Sequence, residues 1–215
     1  MNKIKLKNKI FSVKDHFKTG EVFSLKWNKK WDCFETFPKP NESEIDKYYE
    51  SENYISHQKN TSSLKDLAYK LVRNYMLKKK INWLKKISEG RKLLDVGCGV
   101  GEFIKKAESS GFMVSGIEPN DKARNIAQDE KLNVVESLNT LKQKKFDIVT
   151  LWHVLEHLHH PSQFLNEIRK YLNEDGIICI AVPNFKAYDA KFYEEYWAAY
   201  DVPRHLFHFS KDSIK

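Results

Sequence analysis

The residues most able to do chemistry stand together at Asp95-Val96-Gly97-Cys98-Gly99-Val100-Gly101, three glycines within five residues behind a carboxylate. Glycine at that density lets a chain turn through positive φ and lets a ligand come close to the main chain. The spacing does not fit the dinucleotide fingerprint G-x-G-x-x-G. Its third glycine comes one residue early, and Glu102 stands where that pattern needs glycine. No G-K-[ST] follows, which removes a P-loop. Asp95, after the apolar residues Leu93 and Leu94, would repel a pyrophosphate. An acidic strand end beside a glycine turn suits a ligand with positive charge and an amino acid tail.

The run D-V-G-C-G-V-G resembles motif I of the class I S-adenosylmethionine-dependent methyltransferases, whose cofactor carries both a sulfonium and an α-ammonium group. A second acid fits the same reading. Glu118 closes the apolar run Phe112–Ile117 about 20 residues past the turn, where a ribose diol is held by paired hydrogen bonds. Further on, F-D-I-V…H-V-L-E-H-L resembles the fourth-strand region of small-molecule methyltransferases of the ubiquinone and menaquinone biosynthesis type. The resemblance spans about Lys92 to Ser210. It implies S-adenosylmethionine held by Asp95, Gly97, Cys98, Gly99, Gly101, Glu118 and Pro119, with Leu138, Trp152 and His153 completing the set.

Methyl transfer from a sulfonium is an in-line displacement, so positioning supplies much of the rate. A hydroxyl acceptor also gains from a base within reach. His157, His205 and His208 are the candidates, the last two in D-V-P-R-H-L-F-H-F-S, which resembles a segment near the substrate in a subset of the family. Arg204 in that segment could hold an anionic group, and Tyr54, His57 and Tyr196 could face the acceptor. The bland alternative makes Trp197 and Phe207 core residues, with the histidines satisfying loop backbone. The expected acceptor is a small molecule. Two other readings stay open: an RNA methyltransferase, and a non-catalytic module that keeps the fold. Against nucleic acid, the strand exit Trp152-His153-Val154-Leu155 lacks the Asn/Asp-Pro-Pro-aromatic motif of adenine-amino methylation.

His153, Glu156 and His157 spell H-x-x-E-H, a zinc-peptidase pattern that needs a long helix. Here the letters fall at a strand-to-helix turn, so no metal is expected. Cys33 stands alone where relatives resembling this chain often have a Cys-x-x-Cys zinc ribbon, and one cysteine makes no structural site.

The elements that must position these residues follow from periodicity. Apolar runs at 93–96, 112–117, 132–136, 146–152 and 177–182 alternate with helical patterns, which predicts a doubly wound parallel α/β sheet of about five strands; the resemblance implies that it is Rossmann-like, in the order 3-2-1-4-5. The family's final antiparallel hairpin has no counterpart, so the chain reads as C-terminally truncated, its fifth strand an exposed edge open to association. Residues 1–62 read as an appendage of short strands and a lid-like helical segment, with Ser43 as an N-cap; residues 63–215 read as the core. Leu64, Leu67, Leu71, Tyr75, Leu77, Ile81 and Leu84 recur at helical spacing. The net charge of +8 reflects lysines spread over solvated faces, and 41% hydrophobic residues without a long apolar run give neither a membrane span nor a signal peptide. Three scattered cysteines point to a reducing cytoplasm.

Overall fold

The computed structural model describes residues 11–49, 64–142 and 145–214. In chain order the elements are β1 (Phe11–Lys14), β2 (Val22–Asn28), β3 (Cys33–Phe37), α1 (Leu64–Ile87), β4 (Lys92–Val96), α2 (Glu102–Glu108), β5 (Met113–Ile117), α3 (Asp121–Asp129), β6 (Val134–Val135), β7 (Phe146–Trp152), α4 (Pro161–Arg169), β8 (Leu172–Ala181), α5 (Tyr188–Tyr193) and β9 (Phe207–His208). Two compact units interleave along the chain. One is drawn from Met1–Ile55, His153–Pro161 and Val182–Lys215, the other from Ser56–Trp152 and Ser162–Ala181.

The second unit is built on a parallel five-stranded sheet in the order β6-β5-β4-β7-β8. This is the expected 3-2-1-4-5 arrangement. Leu93, Leu94, Ile148, Val149 and Leu151 are fully buried, as strands covered on both faces require. Phe103, Ile104 and Ala107 of α2 pack into the same core, where Leu77, Ile81 and Leu84 of α1 also lie. Of the apolar face expected along α1, Leu77, Ile81 and Leu84 pack into this core, whereas Leu67, Leu71 and Tyr75 are exposed. The cause is length. A helix of 24 residues runs roughly 36 Å at 1.5 Å per residue, about twice the span of a five-residue strand. β8 begins five residues before the expected strand, with an irregular register where Phe146↔Leu172 gives way to Ile148↔Ile177.

The first unit holds an antiparallel sheet in the order β1-β2-β3-β9. Phe23 and Leu25 alternate with exposed residues along β2, and Phe34 packs from β3. The sequence suggests one boundary near residue 62. The packing instead sends 153–161 and everything after Ala181 to the N-terminal strands, because β9 pairs with β3 and Phe185, Trp197, Tyr200 and Val202 fill their core. The helix expected after Ser43 is a single 3-10 turn, Ile45–Tyr48, without a side-chain cap. Asn41, not Ser43, satisfies the chain there, its Oδ1 accepting from the Glu44 N–H at 2.9 Å. Among the described residues no helix is long and apolar enough to cross a membrane.

Candidate functional site

β4 delivers Asp95 to the mouth of the glycine turn with its side chain enclosed, and Thr150 Oγ1 on β7 donates to Oδ1 at 2.6 Å. Burial pushes the carboxyl up to about 7; the Thr150 hydrogen bond and Lys80 pull it down, and Glu118 pushes it further up. Gly97, Gly99 and Gly101 all have positive φ, at 65°, 56° and 85°. Their surroundings differ. A Cβ at Gly101 would meet Leu132 Cδ1 at 2.3 Å, whereas one at Gly99 would meet nothing within 4 Å. Gly101 is therefore a packing glycine, and Gly99 faces open space. Cys98 lies between Gly97 and Gly99, its thiol pushed up by burial.

Glu118, at the end of β5, is tied into the same turn. Its Oε2 accepts from the Gly99 N–H at 2.8 Å and its Oε1 from the Asn120 N–H at 2.9 Å. Each oxygen keeps a further lone pair for an incoming hydroxyl. Arg124 donates to the carbonyls of Glu118 and Pro119, which fixes the loop. Leu138 is buried, and its carbonyl accepts from the Tyr171 hydroxyl at 3.2 Å. Trp152 ends β7 with its ring edge-on to Phe103, and its Nε1–H is buried without a hydrogen-bond partner. Lys80 Nζ lies 4.2 Å from the centre of that ring, and burial lowers its pKa.

Lys80 and Thr150 were absent from the expected site. Lys80 sits at helical spacing with Leu77, Ile81 and Leu84, and a lysine on an apolar helix face is a readable signal. Thr150 is likewise a polar residue inside the otherwise apolar run I-V-T-L.

His153 and the three candidate bases belong to the other unit. His153 has φ 59° and is exposed. His208 Nε2 lies 2.9 Å from Thr36 Oγ1, whose only hydrogen goes to the His205 carbonyl at 2.7 Å. His208 must therefore donate from Nε2, and burial holds its pKa down at about 3. His157 Nδ1 lies 3.0 Å from the Arg204 carbonyl and 2.8 Å from the Tyr49 hydroxyl. A carbonyl can only accept, so Nδ1 carries the hydrogen. Burial, with His205 beside it, lowers this imidazole to about 4. His205 donates from Nδ1 to the Ala199 carbonyl at 2.9 Å, and burial lowers it as well. Imidazoles held neutral this firmly are weak proton acceptors near neutrality.

Arg204, expected to hold an anion of the acceptor, is buried and holds Asp201 instead, with Asp15 3.5 Å away and the Tyr48 carbonyl at 3.2 Å. Tyr196 is exposed. Tyr54 and His57 lie outside the described residues. Trp197 and Phe207 are buried, as the bland alternative requires.

A parallel sheet of this order, with a glycine turn after its central strand and an acid after the next, defines a Rossmann-like class I methyltransferase fold. Residues 69–215 match the methyltransferase-domain family, and the chain belongs to it. Its relatives include a ubiquinone biosynthesis O-methyltransferase of Actinobacillus pleuropneumoniae serotype 7, 31% identical over 115 residues that cover 46% of this chain and 49% of that one. The chain thus spans about half the length of the curated relatives it matches. Among solved structures, a SAM-dependent methyltransferase from Archaeoglobus fulgidus matches 66% of this chain and 65% of its own, at TM-score 0.54 and 24% identity. Magnesium protoporphyrin IX methyltransferase from Synechocystis, solved with bound SAH, matches 74% and 76% at TM-score 0.55 and 16% identity.

Proposed function

We propose that this chain takes part in S-adenosylmethionine-dependent methyl transfer to a small-molecule acceptor. The observation that carries the reading is the Glu118 carboxylate bound to the Gly99 N–H beside enclosed Asp95, with open space over Gly99. The residues fit the cofactor. Glu118 would accept from the ribose hydroxyls and Asp95 would face the α-ammonium group. Lys80 and the unpartnered Nε1–H of Trp152 suit the amino acid's carboxylate. When bound, the cofactor supplies an electrophilic methyl on sulfur. The chain's part is then to fix the sulfonium's orientation and exclude water.

Burial holds His157, His205 and His208 neutral, so the proposal assigns none of them the acceptor's proton; the reaction needs no base for an acceptor already ionised. The three free cysteines support a reducing compartment such as the cytoplasm. The outer edge of β8 supports association by strand pairing.

Calorimetric titration with S-adenosylhomocysteine, with NAD as control, tests the reading. Micromolar binding of the first alone is expected. Glu118→Gln should weaken it by about tenfold or more, the worth of hydrogen bonds to a charged group. Preference for NAD, or a Glu118→Gln variant that binds as well as the parent, would sink the assignment.

A further inference from the structure

Three side chains of the first unit meet without a use in methyl transfer. One carboxylate oxygen of Glu156 and one ring nitrogen each of His157 and His205 lie within 4.8 Å of one another. Glu156 is 1% exposed, and neither of its carboxylate oxygens has a hydrogen-bond partner. His153 Nδ1 comes within 3.3 Å of Oε1, but without hydrogen-bond alignment and from the solvent side. A carboxylate enclosed without donors is costly, and such groups are normally paired or bound to a cation.

The histidines are prepared in a complementary way. Each ties its Nδ1–H to a backbone carbonyl, His157 to Arg204 at 3.0 Å and His205 to Ala199 at 2.9 Å. That fixes the tautomer in which Nε2 carries a lone pair. Metal-bound histidines almost always anchor their second nitrogen in this way. Neutral imidazole with a free Nε2 lone pair is the form that ligates. His208, also nearby, is spent on Thr36.

We propose that Glu156, His157 and His205 bind a divalent transition-metal ion of the zinc class, through one carboxylate and two Nε2 atoms, with a coordination position left open. Two imidazoles and a carboxylate are a donor set for zinc or ferrous iron rather than magnesium or calcium, which prefer oxygen. Ligands at about 2.1 Å from one ion stand roughly 3–4 Å apart, so binding draws the three in by about an ångström. Two letters of H-x-x-E-H thus acquire the downstream third ligand that the sequence pattern lacked. It comes from the loop before β9, and the motif forms a 3-10 turn, Leu155–His157, in place of a helix.

The proposal does not rest on the methyltransferase reading, and its test reads the metal. Chain stripped with chelator is titrated with Zn²⁺ by calorimetry and with Co²⁺ by visible absorption, and melted with and without excess Zn²⁺. One equivalent is expected to bind at micromolar affinity or tighter, with cobalt bands of low coordination number and a melting point raised by several degrees. Glu156→Gln keeps the side chain's size and replaces the carboxylate that lacks hydrogen-bond partners. Its metal-free form should melt no lower than the parent while zinc affinity falls by about a hundredfold. His157→Gln supplies an independent arm should either variant fail to fold. Absence of stoichiometric binding, or binding that the folded variants leave within about twofold, overturns the site.

Discussion

Asp95 lies enclosed at the end of β4, where burial lifts its carboxyl from 3.8 to about 7. A ligand presenting an ammonium group binds the ionised form, and that fraction grows roughly tenfold between pH 6 and pH 8 for such a group. S-adenosylhomocysteine affinity measured across that interval should climb by about the same factor. Asp95→Asn should bind weakly with a flat profile, and an equally steep profile in that variant would place the titrating group elsewhere. At this scale the acids were legible because Asp95 and Glu118 sit at strand ends flanking glycines. Their partners Thr150 and Lys80 stand out as polar residues on apolar faces, but that both approach Asp95 appears only on folding, since they come from segments distant in sequence. The histidines mislead in the opposite direction. Residue type nominates His208 as a base, while its surroundings, visible only after folding, take its one N–H for Thr36.

Among the elements, β5 shows how tightly the glycine turn is backed. A Cβ added at Gly116 would meet Ile104 Cδ1 at 2.3 Å and Cys98 Sγ at 2.7 Å. Gly116→Ala is expected to cost about 1–3 kcal/mol as overpacking, and to weaken S-adenosylhomocysteine by displacing Cys98. A thermal melt indistinguishable from the parent's would show that the core gives way freely. β4, β5 and β7 were readable because each is a short apolar run between turn residues; the handedness of their connections follows from the crossover rule, whereas their order came from the family resemblance. β9 was not. A two-residue strand carries no period, and its partner β3 lies some 170 residues away. The exposed half of α1 was misread because periodicity reports an apolar face but not how far the sheet beneath it extends.

Over the whole molecule, stability should follow pH through groups that burial holds neutral. The pKa of His157 is about 4 and that of His208 about 3 in the folded chain, against 6.5 when exposed. Below 6.5 the unfolded chain takes protons that these rings refuse, so stability present above that pH drains as the pH falls towards 4. Asp95 works in the opposite sense. Between 3.8 and about 7 it keeps a proton that the unfolded chain has released, and it favours the fold as pH falls. Melting points measured in chelator from pH 7 to pH 4 are expected to fall, and to fall more steeply in Asp95→Asn; a curve that rises towards acid would reverse this balance. The interleaving of the two units also has a consequence in time. On the ribosome β1, β2 and β3 emerge first, yet the strand that covers the edge of β3 is made about 170 residues later, roughly 10–35 s at ordinary rates of synthesis. Through that interval the nascent sheet must wait with its edge bare, so the N-terminal unit is completed only after every strand of the parallel sheet has been translated.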